Sequence, residues 1–387
     1  MLFIKNFLRE KMQEIPFLDL KRAYFEYGEE IEKAVLEVLR RGIYLNGPET
    51  ASLEEKLASY LGVKYAVGVS SGTEALYLIL KALELPAGSH VILPSFTFIA
   101  TSEVVVRAGF TPVFADIDIN TGNLSTHSVK TLYEKLLSEG KKVSAVIGVS
   151  IFGLPAELPA LETFCKDRKL YLIEDICQAF GAEVAGKKVG TFGIASATSF
   201  YPTKNLACFG DGGMVFTDDY EIYRKIKVMK EHGQTSPYFY EYHGINGRID
   251  EIQCAIVRVK FKFFEKELAL RRYLADLYTK GLKNLAPEIK FLEPLPQALP
   301  AYSLYSIRVK AREELIKFLA QARITTRIYY PSPLHLQPVY KGLGYQKGDL
   351  PATEKLCDEI LSLPFFPYLR DEEVEYVVEK IREFYGR

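Results

Sequence analysis

The sequence contains no tryptophan, four methionines, five histidines, and five cysteines that share no CxxC spacing. The histidines (His90, His127, His232, His243 and His335) are not spaced as metal pairs, so no metal site is expected. An odd number of scattered cysteines (Cys165, Cys177, Cys208, Cys254 and Cys357) argues against a disulfide framework and suits reduced, mostly buried thiols in a cytoplasmic protein. Neither sign of charge is in excess: 49 Lys plus Arg face 49 Asp plus Glu, which leaves no field to recommend nucleic acid or an anionic membrane as partner. No apolar run approaches the ~18 residues of a membrane span. The opening MLFIKNFLREKM is broken by Lys5, Arg9, Glu10 and Lys11, which speaks against a secretory leader. No GxGxxG follows the first strand-like run, so a nucleotide-binding Rossmann protein without turnover lacks its fingerprint.

What is present is an ordinary globular composition, 48% hydrophobic and 25% charged, with 25 Tyr and 24 Phe. The 387 residues suffice for a large core and about two domains at ~150 residues each. After a helical stretch with Ile31, Ala34, Val35, Val38 and Leu39 on one face, short β-rich runs begin and alternate with helical stretches. The runs are Tyr65 to Val69, Val91 to Leu93, Pro112 to Ala115, Val143 to Val149, Leu170 to Ile173, Ala195 to Phe200 and Met214 to Phe216. Several are apolar on both faces, which predicts a largely parallel seven-stranded sheet covered by helices, with ligands at the carboxyl ends of its strands. Beyond Gln253 the rhythm changes to one long helical pattern, about 253–285. A strand at Tyr302 to Val309, a further strand-like run at Arg327 to Tyr330, and three more helices follow. The expected division is a large α/β domain over 13–260, including an N-terminal segment and helices at 13–62, and a smaller α+β domain over 261–387.

Three constellations carry chemistry. Lys204 lies between a strand and a glycine-rich turn in SATSFYPTKNLACFGDGG (Ser196 to Gly213), where a lysine can form a Schiff base. Ser70-Ser71-Gly72-Thr73 joins a strand to a helix, so its free N–H groups and the helix dipole suit a phosphate. Asp175 ends an apolar strand, where a carboxylate can keep a pyridinium nitrogen protonated. Each has an ordinary reading of its own: a solvated loop lysine, an N-cap, a helix-capping aspartate. In this order along an α/β sheet they are the parts that pyridoxal phosphate requires.

The stretches IPFLDLKR, GVSSGTEAL, LPSFTFIAT, IEDICQAFG, SFYPTKNL with FGDGG, GINGRIDEIQ, YYPSPLHLQP and LSLPFFPYL make the chain recognisable from about Ile15 to Tyr368. As an ordered set they resemble the nucleotide-sugar aminotransferases of the DegT/DnrJ/EryC1/StrS group, fold-type I pyridoxal-phosphate enzymes with the aspartate aminotransferase-like α/β fold. The resemblance implies Lys204 as the Schiff-base lysine and proton carrier, with Asp175 at the pyridine nitrogen. It implies Gln178 beside the ring hydroxyl, Phe98 stacked over the ring face, and Gly72, Thr73 and Ser199 around the phosphate. For Phe98 the ordinary alternative is core packing. Asn246 matches an asparagine that reaches the phosphate of the neighbouring subunit, which implies a homodimer with shared active sites.

The resemblance further implies transfer of an amino group from L-glutamate to a nucleotide-linked keto sugar in polysaccharide biosynthesis. SFYPTKNL, with Tyr201 where members acting on 4-keto sugars more often have histidine, looks like the branch acting on 3-keto sugars. GVSSGTEAL, the His232 to Gln234 run and FGDGG resemble makers of 3-amino uronic acids. The expected substrate is a UDP-linked 3-keto sugar of the 2-acetamido hexuluronate type, with 4-keto-6-deoxy sugars as the alternative. Arg248, Arg308 and Arg327 are candidates for its carboxylate or diphosphate, or else structural ion-pair partners. Tyr329 and His335 are candidates for the sugar pocket. Two departures bear on the substrate: Tyr329-Tyr330 stands where many members have His-Tyr, and Tyr302-Ser303-Leu304 where many have Tyr-His-Leu. A sugar dehydratase of the same group would carry histidine in place of Lys204, and a silent relative would keep the cofactor only as a ligand.

Overall fold

The computed structural model describes residues 14–386; the charged opening stretch, on which the reading of a missing leader rests, lies outside them. All seven predicted strands form, within two residues of the expected limits: β1 (Tyr65–Val69), β2 (His90–Pro94), β3 (Thr111–Ala115), β4 (Val143–Val149), β5 (Tyr171–Asp175), β6 (Ala195–Ser199) and β7 (Gly213–Thr217). They build one sheet in the order β1-β7-β6-β5-β4-β2-β3. The pairs from β6 across to β3 are parallel, and β7 runs antiparallel to both β1 and β6. β1 is therefore co-directional with β2 to β6, and the carboxyl ends of six strands face one edge. Residues such as Val91, Ile92, Leu93, Ile147 and Ile173 are wholly buried, as a sheet covered on both faces demands.

The helices α1 (Leu20–Arg41), α2 (Pro48–Leu61), α3 (Gly72–Ala82), α4 (Ala100–Arg107), α5 (Thr126–Ser138), α6 (Leu158–Arg168) and α7 (Tyr220–Met229) precede or alternate with the strands. α3 directly follows β1; Ala75, Leu76, Leu78, Ile79 and Leu80 are all buried because the helix lies between the sheet and its neighbours α4 and α7. Ser71 caps it, its Oγ accepting the Glu74 N–H at 3.1 Å.

The long helical pattern expected over 253–285 is two helices, α8 (Glu251–Phe261) and α9 (Phe264–Leu282). Both contribute to the large core, through Cys254 and Val257 and through Phe264 and Leu268, but Ile256 and Val259 of α8 also pack with Tyr27 and Ile31 of α1, whereas Leu274, Tyr278 and Leu282 of α9 run on into a second core. That second core lies under the antiparallel strands β8 (Ile289–Phe291), β9 (Tyr305–Val309) and β10 (Ile360–Leu363), with α10 (Arg312–Gln321) and α12 (Asp371–Phe384) against it. A last helix, α11 (Pro351–Glu359), precedes β10. The run Arg327 to Tyr330, expected as a strand, makes a single bridge at Arg327 to Ser362, because the chain then leaves the sheet through Pro331 and Pro333, which cannot donate to a ladder.

The N-terminal segment was expected with the large domain. Ile15 belongs instead to the second core: its N–H donates to the Arg323 carbonyl at 2.9 Å and its carbonyl accepts the Thr325 N–H at 3.0 Å. In the other direction, residues 334–360 return to the large core through Leu334, Tyr340 and Leu356. Asp116, just past β3, caps α11 by accepting the Thr353 N–H at 2.8 Å and the Ala352 N–H at 3.0 Å. Among the described residues no helix is long and apolar enough to cross a membrane, and all five cysteines are free thiols.

The two ends of the described chain are joined by a bidentate ion pair: Arg22 of α1 donates to both oxygens of Glu373 in α12, at 2.6 and 2.7 Å. Burial works against this carboxylate, but hydrogen bonds from Arg22 and Arg370 overcome it and hold the group down to about 2. A depressed folded-state pKa contributes stability above the unfolded value, which is lost as pH falls through the folded one. Glu373 is therefore expected to contribute up to about 3 kcal/mol above pH ~4.5, less screening on the partly exposed Arg22 side, vanishing toward pH ~2. Urea unfolding of Glu373→Gln across pH 2 to 6 should show a flatter pH dependence than the parent; an identical slope would remove the pair from the account.

Candidate active site

A cavity of about 1140 Å³ opens at the carboxyl edge of the sheet and is lined by the turn after β1, the loop after β2, the end of β5, the loop after β6 and residues 328–339. Lys204 stands in it, half-buried, its backbone N–H donating to the Tyr201 carbonyl at 2.9 Å in a tight turn. Gly72, Thr73, Phe98, Asp175, Gln178, Ser199, Tyr201 and Tyr329 line the same space. Strands apart in sequence meet here because parallel strands deliver all their carboxyl ends to one edge.

On one side the wall is the Ser71-Gly72-Thr73 turn. A Cβ on Gly72 would lie 2.7 Å from the Ser199 Cβ and 2.8 Å from the Cys177 Sγ. Across from it, a Cβ on Gly213 would fall 2.4 Å from the Ser71 carbonyl carbon and 2.6 Å from the Gly72 nitrogen. Gly213 is closed to a side chain by backbone, and Gly72 by the Ser199 and Cys177 side chains. The turn therefore presents bare N–H groups at the start of α3, next to the Ser199 hydroxyl, which accepts the Tyr201 N–H at 3.2 Å. An anion with several acceptor oxygens fits these donors.

Asp175 is buried at the end of β5. Its Oδ2 accepts from the Thr101 hydroxyl at 2.9 Å, and its Oδ1 accepts the Cys177 N–H at 3.1 Å, which together set the plane of the carboxylate. Burial, and then the Asp175 charge, hold the adjacent Cys177 thiol well above its ordinary value, so it stays protonated. Gln178 is held from two sides: its Oε1 accepts the Phe152 N–H at 3.0 Å and its Nε2 donates to the Tyr330 hydroxyl at 3.2 Å. Burial raises the Tyr330 phenol, opposed by the Gln178 hydrogen bond, so Tyr330 remains neutral. Phe98 is 54% exposed in this chain and faces the cavity rather than the core. A buried carboxylate, a lysine, an aromatic face and an anion cradle around one cavity fit a phosphorylated pyridine aldehyde such as pyridoxal phosphate.

The structure does not gather every candidate. Arg248 pairs with Glu231 at 3.0 Å, outside the cavity lining. Arg308 is buried against Glu359, at 2.9 and 3.1 Å, and the Ile119 carbonyl, which consumes its donors on the far side of the second core. Arg327 is exposed on a separate shallow cleft beside Thr326. His335 is 1% exposed and lies behind the cavity wall: Nδ1 is 2.7 Å from the Ser95 hydroxyl and Nε2 3.2 Å from Glu354. Burial lowers its pKa, opposed by Glu354. Asn246 is exposed on a loop whose Gly247 carbonyl accepts the Ser70 N–H at 2.9 Å, beside the anion cradle but outside the lining residues. Thr101 and Tyr330, which orient Asp175 and Gln178, lie within LPSFTFIAT and YYPSPLHLQP, but the sequence reading assigns them no role in the site, since neither shows what it bonds until its partner is placed.

A family model described as the DegT/DnrJ/EryC1/StrS aminotransferase family matches residues 26–382. The chain is 40% identical over 372 residues to a Geobacillus stearothermophilus protein named pleiotropic regulatory protein, covering 96% of this chain and 98% of that one. It is 36% identical over 363 residues to a Pseudomonas aeruginosa UDP-2-acetamido-2-deoxy-3-oxo-D-glucuronate aminotransferase, covering 94% and 98%. Among solved structures, Streptomyces venezuelae DesV in complex with a ketimine intermediate superposes with a TM-score of 0.92 at 36% identity, covering 97% of this chain and 100% of that one. With the match spanning both cores and the cavity between them, the chain belongs to the DegT/DnrJ/EryC1/StrS aminotransferase family, the pyridoxal-phosphate-dependent aminotransferases of nucleotide-linked sugars.

Proposed function

We propose that this chain transfers an amino group from L-glutamate to C3 of a UDP-linked 3-keto sugar of the 2-acetamido hexuluronate type, as a homodimer. The observation that carries the reading is the meeting of Lys204, Asp175 and the Gly72 cradle in one cavity large enough for a sugar nucleotide. Amination at C3 is supported by four relatives at 35–37% identity, each named for a 3-amino, 3-oxo or 3-dehydro sugar linked to dTDP or UDP. Among the described lining residues Lys204 is the only basic side chain, so a uronate carboxylate is the part of the substrate with least support from this chain alone.

When bound, pyridoxal phosphate supplies an electron sink for the pair released as a Cα–H bond breaks. In our reading Gly72, Thr73 and Ser199 would hold its phosphate, Phe98 would cover its ring and Gln178 would meet its hydroxyl. Asp175, fixed by Thr101, would meet the ring nitrogen. Lys204 Nζ accepts the proton released from the donor's Cα and later returns one to the aminated sugar carbon. Tyr201 and Tyr329, on opposite walls, orient the sugar. Exposed Phe25, Leu36 and Leu39 of α1, with Ile43 and Tyr44 just after it, give an apolar surface that suits burial against a second copy. Asn246 is on the surface, where it can serve a neighbour's phosphate.

Lys204→Ala is expected to lose the visible absorption band of lysine-bound cofactor and on the order of 10³-fold or more of transamination; an unchanged band would remove Lys204 from its role. Asp175→Asn should keep the band and lose about 10²-fold in rate. Gly72→Ala should release the cofactor on dialysis while circular dichroism stays near wild type, because the added methyl meets Ser199 and Cys177. The substrate is tested with glutamate and matched UDP- and dTDP-linked 3-keto and 4-keto sugars, neutral and acidic. Turnover of the UDP-linked 3-keto uronate above its neutral counterpart supports the full reading; preference for a 4-keto sugar would overturn C3.

A further inference from the structure

Behind Lys204, away from the anion cradle, lies a second, smaller chamber of about 130 Å³. Gln178, Thr203, Lys204, Tyr329 and Tyr330 line both spaces, so the two adjoin at the reactive lysine. The inner wall contains Arg271 of α9 and Ser303, between Phe17 and Phe365. Arg271 is 5% exposed, and one guanidinium nitrogen, Nη1, donates to the Tyr302 carbonyl at 3.1 Å, while the buried Nε has no hydrogen-bond partner. Ser303 is 8% exposed and its Oγ is likewise buried without a partner. Burial lowers the arginine to about 10, opposed by Glu267, so it is still cationic at neutral pH. Glu267 accepts from the Tyr27 hydroxyl at 3.0 Å and forms no ion pair with Arg271 among the described residues.

A buried cation with an idle donor, beside an idle hydroxyl, is unfavourable unless an anion completes it. A guanidinium fork matches a carboxylate, and a serine hydroxyl adds a third donor. The chamber is well below the ~300 to 1,000 Å³ of sites that enclose drug-sized ligands, so a nucleotide-linked sugar is excluded and a small acid is not. We infer that this chamber is the subsite for a carboxylate of the amino donor, with Arg271 and Ser303 as its binding residues. The two substrates then reach Lys204 from different spaces, the sugar through the large cavity and the acid's carboxylate in the small one. This rests on the reading of the chain as a glutamate-dependent sugar aminotransferase.

The test uses the cofactor-loaded enzyme and glutarate, a dicarboxylate with no amine to react. Calorimetry should show glutarate binding to the wild type, weakened roughly tenfold or more in Arg271→Gln and several-fold in Ser303→Ala, with the affinity for UDP unchanged. The KM for glutamate should rise in parallel while that for the keto sugar holds. Should Arg271→Gln fail to fold, Ser303→Ala and the chamber-filling Ser303→Leu decide on the same readout. The inference is overturned by absence of glutarate binding to the wild type, by variants within about twofold of it, or by an equal loss of UDP affinity. Failure of the functional reading looks different: the wild type would move no amino group from glutamate to any keto sugar, whatever glutarate does.

Discussion

The site depends on backbone approaching backbone. The Ser71-Gly72 turn lies directly against Gly213 of β7 and Ser199 of β6, at distances no side chain could share. This contact brings the turn at 71–72 to one sheet edge with two segments, at Ser199 and Gly213, that lie more than a hundred residues further along the chain. It aligns the free N–H groups of α3 with the loop that carries Lys204. The antiparallel placement of β7 between β1 and β6 makes it possible, because Gly213, at the start of β7, pairs with both Val69 and Ser199. A glycine at 72 and at 213 is thus a requirement of packing, and the donors left open are its functional result.

The opposite wall is made by a segment that crosses between the two cores. Residues 328–339 are lodged against the large domain by the Leu334 N–H to the Ser95 carbonyl, at 3.0 Å, and by the His335 link from Ser95 to Glu354. Asp116 holds the start of α11 to the end of β3. These polar ties are buried or partly buried, so each loses more when broken than an exposed one would. Tyr329 and Tyr330 stand between the large cavity and the inner chamber as a consequence, and the hydrogen bond from Gln178 to Tyr330 joins the cofactor side to the small domain. His335, a candidate pocket residue by motif, is in this arrangement a brace.

Much of the fold was legible because its signals are local and repeated. Apolar runs of strand length, each followed by a helical stripe, can bury their two faces only inside a helix-covered parallel sheet. The failures are where one pattern served two neighbours. The helical periodicity over 253–285 continues unbroken, and only the tertiary structure shows α8 packing against α1 while α9 runs on into the second core. Ile15 looks like any apolar residue ahead of a helix, and its pairing with Arg323 and Thr325 bridges some three hundred residues.

By itself the sequence determined the order of the chemistry-bearing turns and the residue types in them: a glycine-containing turn before a helix, an aspartate at a strand end, a lysine after another. These are dictated by local backbone needs, and local needs are written in consecutive residues. Tertiary structure decided which charged groups are free to act. Arg248, Arg308 and Arg271 carry the same guanidinium, but Glu231 and Glu359 pair with the first two, while the third lines the chamber beside Lys204 with no carboxylate ion pair among the described residues. The physical reason is that an arginine's availability is set by the partner that reaches it first, and that partner is chosen by packing across the whole chain.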